Sequence, residues 1–175
     1  MRSLKSFRYE CLHCGACCAW PGGAPLYPDD VERMAARLAL SVPDFIRQCT
    51  DHVVVTYEDE ETTLRVPYLV LKRNADGCIF VRDGLCSVHE FKPWHCAASP
   101  FLAEFVVEPT GRRLLEEKCP GFDGGERHPA AKIRRLLNEQ SDREVGYEAR
   151  LEELGWDLAR LYGVPLGEPR EWTAE

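Results

Sequence analysis

Four cysteines lie within eight residues near the start of the chain, at Cys11, Cys14, Cys17 and Cys18. The small residues Gly15 and Ala16 separate them and keep the backbone slim. Thiolates at this C-x2-C-x2-C-C spacing can converge from one tight loop onto a soft metal centre, because small intervening residues let the chain curl around the metal. The motif therefore predicts that this loop binds a metal.

Four more cysteines follow as single residues, at Cys78, Cys86, Cys96 and Cys119. Together with Cys49 they bring the total to nine, an odd number that leaves one thiol over in any framework of disulfides. The first ten residues do not resemble a secretory signal, and no run reaches the roughly 18 apolar residues of a membrane-spanning helix. We therefore expect a cytoplasmic protein with reduced thiols, in which metal ligation is favoured over disulfides and over purely redox-active thiols.

The overall composition is that of a soluble globular protein, with 45% hydrophobic and 29% charged residues in 175. This length suffices for one domain with a substantial core. The net charge of −7 argues against general binding of nucleic acid, which needs a basic face. The expected partners are metal ions and a protein that the sequence does not identify, with neither nucleic acid nor membrane.

Helices are predicted on both sides of a β-rich middle. They comprise 28–40, a second helix after Ser41, 130–140 and 141–162. Ser41 with Asp44, and Ser141 with Glu144, have the spacing of capping boxes that open helices. The last dozen residues are expected to pack loosely.

Strands are predicted at 53–57 and 62–71, in a hairpin at 78–86 with cysteines at both ends, and in a further pair at 102–107 and 112–116. These elements predict an α+β fold, with a small antiparallel β/loop core around a cysteine-bound metal centre and with flanking helices. Residues 1–125 are assigned to a cysteine-cluster metal-binding domain. Residues 126–175 form a C-terminal helical extension that packs on it, so that the two make a single compact unit.

The cysteine pattern resembles the YkgJ-type cysteine-cluster family, a CxxCxxCC domain described as chelating zinc or iron. The resemblance rests on C-x-x-C-G-x-C-C at the start, on Gly84-Leu85-Cys86, on the run from Cys86 to Cys96, and on Cys119-Pro120-Gly121. It covers about residues 11–125 and implies eight metal ligands, namely Cys11, Cys14, Cys17, Cys18, Cys78, Cys86, Cys96 and Cys119. The chain departs from the usual pattern at His89, Lys92 and Ala97, where the family favours an aromatic residue, an arginine and a basic residue.

The spacing favours an iron–sulfur cluster as the bound centre. A C-x2-C-x2-C run with a distant cysteine before a proline is close to the arrangement that holds a [4Fe–4S] cluster in ferredoxin-like proteins. Structural zinc sites more often use two separated C-x2-C or Cys/His pairs, but thiolates suit either metal. We therefore expect an iron–sulfur cluster, most simply [4Fe–4S], with zinc as the alternative.

Eight cysteines exceed the four ligands that saturate one cubane or one tetrahedral zinc. Either two centres exist, or half of the thiols do something else. Neighbouring residues project in different directions, so Cys17 and Cys18 could serve two centres side by side. Our hypothesis is that Cys11, Cys14 and Cys17 anchor one site and that Cys18 contributes to a second.

Three functions remain open at this point: a protein that holds an iron–sulfur cluster, a structural zinc module for interaction or metal handling, and a cluster-dependent oxidoreductase or protein-modifying enzyme. The chain has no nucleophile elbow, P-loop or dinucleotide fingerprint, so no catalytic residue is assigned. Cys49 is interpreted as a small buried hydrophobic residue. His13, His89 and His95 are expected at the surface or in hydrogen bonds to the centre's sulfurs rather than as ligands.

Overall fold

The computed structural model describes residues 4–20, 23–58, 61–75 and 77–172 of the chain. Its strands are β1 (Phe7–Tyr9), β2 (Pro25–Leu26), β3 (Thr50–Glu58), β4 (Thr63–Leu71), β5 (Arg73–Asn74), β6 (Gly77–Cys78), β7 (Val81–Arg82), β8 (Leu85–Cys86), β9 (Glu126–His128) and β10 (Arg170–Glu171). Its helices are α1 (Ala16–Ala19), α2 (Pro28–Arg37), α3 (Val42–Cys49), α4 (Trp94–Ala98), α5 (Ala103–Val106), α6 (Pro109–Lys118), α7 (Ala130–Glu153) and α8 (Leu158–Tyr162), with a 3₁₀ turn at His89–Phe91. This mixture of helices and small sheets confirms the predicted α+β class.

The main sheet is built on the long hairpin of β3 and β4, in the order β10-β3-β4-β2. Val53 pairs with Tyr68 at the middle of the antiparallel hairpin, and both side chains are buried. Apolar side chains of α2 and α3, including Met34 and Phe45, belong to the same core as the sheet. Burial of this apolar surface supplies the main driving force for folding, and it leaves the cysteine loops at the edge of the core.

The helix signals before β3 are confirmed. Pro28 opens α2, and acidic residues occupy its first turn, where they favour the positive end of the helix dipole. The Ser41 side chain accepts a hydrogen bond from the backbone N–H of Asp44 at 3.2 Å and so caps α3. Both helices begin at the predicted residues, because local chemistry alone specifies their caps.

The strand pair predicted at 102–107 and 112–116 is wrong, since these residues lie in or next to the helices α5 and α6. Pro109 stands in the first turn of α6 rather than in a hairpin turn. Gly111 lets α6 approach α5, because a Cβ atom there would lie 1.8 Å from the carbonyl O of Glu104. The β-branched pair Val106-Val107 suggested a strand, and tertiary packing overrides that weak preference.

The helix break predicted at Ser141 is also wrong, because α7 runs without interruption through it. Buried residues on both sides of the exposed Ser141, from Ile133 to Leu151, hold one continuous helix. The expectation of a loosely packed tail is wrong for Arg170–Glu171, which pair in parallel with β3. The division at residue 125 stays a prediction. No helix in the described ranges is long and apolar enough to cross a membrane.

We expect Tyr147→Phe to lower the free energy of unfolding by about 1 kcal/mol, the usual net value of one hydrogen bond. The buried Tyr147 hydroxyl donates to the carbonyl O of Pro67 at 2.9 Å, which ties α7 to β4. Urea unfolding followed by circular dichroism measures the change. Ser141→Ala is the control, since it removes an exposed hydroxyl from the same helix, and an equal effect of both variants would contradict the assigned role of the buried bond.

Candidate metal centre

The loop that carries the first four cysteines bends sharply at Gly15, whose φ of 68° lies in the left-handed region. The next residue begins α1, which carries Cys17 and Cys18. A Cβ atom at Gly15 would lie 2.5 Å from the carbonyl O of Gly84, so only glycine lets the loop come this close to the β7–β8 hairpin. The predicted tight loop is therefore present, and it contacts the hairpin that carries Cys86.

Two short hairpins, rather than the single one predicted, deliver the next two cysteines. Cys78 pairs with Arg73 in β5–β6, and Cys86 pairs with Val81 in β7–β8. The Arg73 guanidinium also donates to the carbonyl O of Cys18 at 3.1 Å, which fixes the first hairpin against α1. The chain thus places both Cys78 and Cys86 next to Cys18.

Cys96 lies on α4, and the preceding loop is anchored to α2. The backbone N–H of Trp94 donates to the buried Asp30 carboxylate at 2.8 Å. Arg33, which forms an ion pair with Asp30, donates to the carbonyl O atoms of Phe91 and Lys92 at 2.9 and 3.1 Å. This network holds the segment 91–96 in place next to the cysteine loop.

Cys119 follows α6 and is carried to the same region by strand pairing. Strand β1, which precedes Cys11, pairs with β9, which follows Cys119. The backbone N–H of Glu10 also donates to the carbonyl O of Gly121 at 3.1 Å. A Cβ atom at Gly121 would lie 1.9 Å from the carbonyl O of Glu10. This close backbone contact brings the turn after Cys119 against the residue before Cys11.

The sulfurs fall into two groups. The inner group is half-buried and comprises Cys18, Cys78, Cys86 and Cys96, each within electrostatic reach of at least one other member. The outer group comprises Cys11, Cys14 and Cys119, of which the first two are exposed. Cys119 lies near Cys14, and Tyr9 contacts Cys11 and lies near Cys119. Cys17 lies between the groups, within reach of members of both.

The thiols in and next to the inner group differ in their pKa values. Cys18 forms hydrogen bonds with Cys17 and Cys86, which lower the pKa of both and raise the pKa of Cys18 well above its ordinary value. Burial raises the pKa of Cys78 and Cys96, and the neighbouring thiols add to the effect. A bound cation reverses this pattern, since it favours the thiolate at every ligating cysteine.

Two cations lie next to the inner group. The Lys92 ammonium is near Cys17, Cys86 and Cys96 and favours their thiolate forms, although burial outweighs this effect on the pKa of Cys96. Arg73 has the same effect on Cys78, although burial outweighs it there. Positive side chains this close to the sulfurs offset the negative charge of a set of thiolates. The surroundings therefore fit a thiolate-bound metal centre.

The spacing of the sulfurs distinguishes the kinds of centre that would fit. In the described part of the chain, one group of three or more metal-ligating side chains has all its ligand atoms within 4.8 Å of one another, namely Cys11, His13 and His89. No three cysteine sulfurs there are as close together. A single tetrahedral zinc needs its sulfurs about 3.8 Å apart, given a Zn–S bond of about 2.3 Å.

His89 lies beside a cysteine sulfur and His13 is exposed, as expected, but the sequence did not link the two histidines. Their rings stack with centroids 3.5 Å apart, and the His89 Nε2 atom lies 3.5 Å from the Cys11 sulfur. The two histidines are far apart in sequence, so the sequence pattern does not predict this contact. It forms because the loop bends at Gly15. His95 pairs instead with Glu104 at 2.9 Å, and Cys49 is buried in the main core as predicted.

We expect Gly77→Ala to destabilise the protein by about 3 kcal/mol, because the site depends on a close backbone contact. Gly77 has a φ of 112°, and a Cβ atom there would lie 2.4 Å from the carbonyl O of Cys18. Gly84→Ala is the matched control, since Gly84 also has a positive φ but nothing lies within 4 Å of its added Cβ. That control should lose only about 1 kcal/mol from backbone strain. Equal losses in thermal unfolding would contradict the contact.

Comparison with known proteins indicates the family of the chain. Residues 10–120 match the model of the CxxCxxCC family, whose description reads "Putative zinc- or iron-chelating domain". The chain is 27% identical over 128 residues to an uncharacterized protein of Methanocaldococcus jannaschii. That alignment covers 70% of this chain and 40% of the relative, so the chain spans less than half of the relative's length. No solved structure matches the chain. Because the family model covers more than half of its residues and all eight patterned cysteines, the chain belongs to the CxxCxxCC family of metal-binding domains.

Proposed function

We propose that this protein holds an iron–sulfur cluster, [4Fe–4S], with the inner group as its ligands. The donor set supports this assignment, because four cysteine thiolates are the standard ligands of such a cluster. The proposed ligands Cys18, Cys78, Cys86 and Cys96 come from four separate elements, α1, β6, β8 and α4. The half-buried setting also limits access of water, which tunes the potential of a cluster.

The observation that carries the proposal is the spacing of the inner sulfurs. These thiols lie near enough to shift one another's pKa, yet no three of their sulfurs lie within 4.8 Å of one another. A lone zinc would need all four at about 3.8 Å. A cubane separates its cysteine sulfurs further, since iron atoms and bridging sulfides lie between them. Cys18 and Cys86 are hydrogen-bonded and so lie closer than the ligands of a cubane do, but no compact set of three sulfurs exists among the described residues, and this favours the cluster over a structural zinc ion in the inner group.

We propose that the outer group, with Cys17, lies at a second metal centre, to which Cys11 contributes a thiolate. This assignment agrees with the expectation that Cys17 and Cys18 serve different centres. The position of Cys17, within reach of Cys18 on one side and of Cys119 on the other, supports it. We expect Cys18→Ala to lose the metal of one centre and to keep that of the other.

Two aspects of function follow from the chemistry of the ligands. Reduced thiols are required, so we propose that the protein works in a reducing compartment such as the cytoplasm. A cluster next to Lys92 and Arg73 is set up to accept and release an electron, since fixed positive charge stabilises the reduced form. We therefore propose a cluster-binding redox protein and assign no substrate.

Anaerobic purification tests the proposal. We expect a brown protein that contains about four iron and four sulfide per chain, with visible absorbance that bleaches on reduction. The structural zinc module predicts instead a colourless protein with zinc by elemental analysis. Oxygen-protected material that is folded and free of iron and sulfide would overturn the proposal.

A further inference from the structure

We propose that Cys11, His13 and His89 form a mixed thiolate–imidazole site for one zinc-like divalent ion. The inference deepens the proposed function, on which it rests, because Cys11 belongs to the outer group. It identifies the second centre as chemically unlike the inner one. The proposal stands on a juxtaposition of three ligand atoms, all within 4.8 Å of one another, contributed by two segments far apart in sequence.

The distance between the first two ligand atoms suits a single ion. With bonds of about 2.3 Å to sulfur and about 2.0 Å to nitrogen, tetrahedral zinc places those two ligands about 3.5 Å apart. The Cys11 sulfur and the His89 Nε2 atom lie 3.5 Å apart. An ordinary hydrogen bond is an alternative reason for this distance, but it does not require a third ligand in the same place.

The third ligand is supplied by an unusual backbone conformation. His13 has a φ of 56°, which is uncommon for a residue other than glycine. In this conformation its ring stacks on that of His89, with centroids 3.5 Å apart. Two imidazoles bound to one zinc ion need their ligating nitrogens about 3.3 Å apart, and the stacked rings, inclined at 29°, would tilt further to direct both nitrogens at the ion.

Lys92 holds the position that the ion would take. Its ammonium lies 3.2 Å from the same Nε2 atom of His89 and donates a hydrogen bond to it. An imidazole nitrogen that accepts a proton donor is unprotonated, which is the form that binds metals. The flexible lysine can swing aside towards the thiolates of the inner group, so the ion and the ammonium exchange places.

A cleft gives the ion a route from solvent. The cleft has a volume of about 420 Å³, and His89 and Lys92 form part of its wall together with Asp29, Glu90 and Trp94. Arg33 and Arg143 line the cleft as well, and Asp29 and Glu90 form ion pairs with Arg143 and Arg37, so the cleft supplies access rather than electrostatic attraction. Three protein ligands leave one coordination position of a tetrahedral ion for a further ligand, as in catalytic rather than structural zinc sites.

The mixed donor set distinguishes this site from the inner group. Two imidazoles and one thiolate suit zinc and similar divalent ions, whereas the inner group offers thiolates alone. The position of His89 is one at which this chain departs from its family pattern, so the site is a feature of this chain's own residues.

Zinc binding to the cluster-loaded protein tests the proposal. The probe is Zn²⁺ itself, measured by elemental analysis and by titration against a competing chelator. We expect one zinc per chain beyond the iron, and a first shell of nitrogen and sulfur in X-ray absorption at the zinc edge. His89→Ala should weaken zinc binding by more than the 10- to 100-fold that loss of an outer-shell partner costs.

His95→Ala is the matched control, because His95 lies in the same segment but pairs with Glu104. It should keep the zinc, and Lys92→Met should keep or strengthen the binding. The iron and sulfide content of the same samples shows whether the fold and the inner centre are intact. Failure of the cluster proposal is thus distinguished from failure of the zinc site. Equal zinc affinity in His89→Ala and the unaltered protein, or a zinc shell of sulfur alone, would overturn the site.

Discussion

Cys86→Ser is expected to remove the visible absorbance of the protein and to reduce its iron from about four per chain to nearly none. Cys86 lies at the centre of the inner group, where it forms a hydrogen bond with Cys18 and is near Lys92. Serine keeps the shape of the side chain but offers a hard oxygen that stays protonated at neutral pH, so it does not replace a thiolate. The effect is large because a cluster with three thiolates lacks a quarter of its anchoring bonds.

The measurement is iron and sulfide content together with the absorbance spectrum, all under oxygen-free conditions. The hairpin β7–β8 is held by backbone pairing of Arg82 with Leu85, so the serine variant should retain its helical circular dichroism. Cys14→Ser is the control, since Cys14 belongs to the outer group. It should keep the cluster's absorbance. Loss of the absorbance in both variants would contradict the separation into two groups, and retention in Cys86→Ser would contradict the ligand assignment.

The parts of the structure that the sequence predicted well are those determined by local chemistry. The caps of α2 and α3 follow from Pro28 and Ser41, which act within one turn of the helix. The tight cysteine loop follows from the small residues between its sulfurs. In each case a few neighbouring residues suffice to specify the backbone, so no knowledge of distant contacts is needed.

The errors arose where distant contacts decide the outcome. The sequence around Val106 favours a strand, yet it forms α5 because the helix packs closely against α6 at Gly111. Ser141 has the spacing of an N-cap, yet α7 continues past it because one face is buried over its whole length. Tertiary burial exceeds such local preferences, which amount to about 1 kcal/mol or less per residue.

The candidate site shows the same division. The eight cysteines could be assigned as ligands from their pattern, but their separation into groups could not, because it depends on two hairpins and on the contact of Glu10 with Gly121. The contact between His13 and His89 has no sequence signal, since the two residues lie in different cysteine segments and nothing in their spacing links them. A ligand set made of isolated residues becomes visible only after folding.

Asp30→Ala is expected to lower the free energy of unfolding by about 3 kcal/mol, because it breaks a buried ion pair and leaves hydrogen-bond donors without an acceptor. The Asp30 side chain is fully buried and accepts hydrogen bonds from the backbone N–H groups of Trp94 and Tyr27, at 2.8 and 3.4 Å. Its partner Arg33 in turn holds the loop before Cys96. We therefore expect the variant to lose stability and also to bind metal more weakly.

Asp29→Ala is the matched control for this prediction, because Asp29 is the next residue in the same helix turn but forms only an exposed ion pair with Arg143 at 3.2 Å. Exposed pairs contribute about 0–1 kcal/mol, so this variant should unfold almost as the unaltered protein does. Urea unfolding of the metal-free proteins separates fold stability from metal binding, and iron content after anaerobic reconstitution measures the second effect. If both aspartate variants lost stability equally, the buried carboxylate would not be the anchor of the loop that carries Cys96; if Asp30→Ala unfolded early but took up iron normally, that loop would reach the metal by its own local structure.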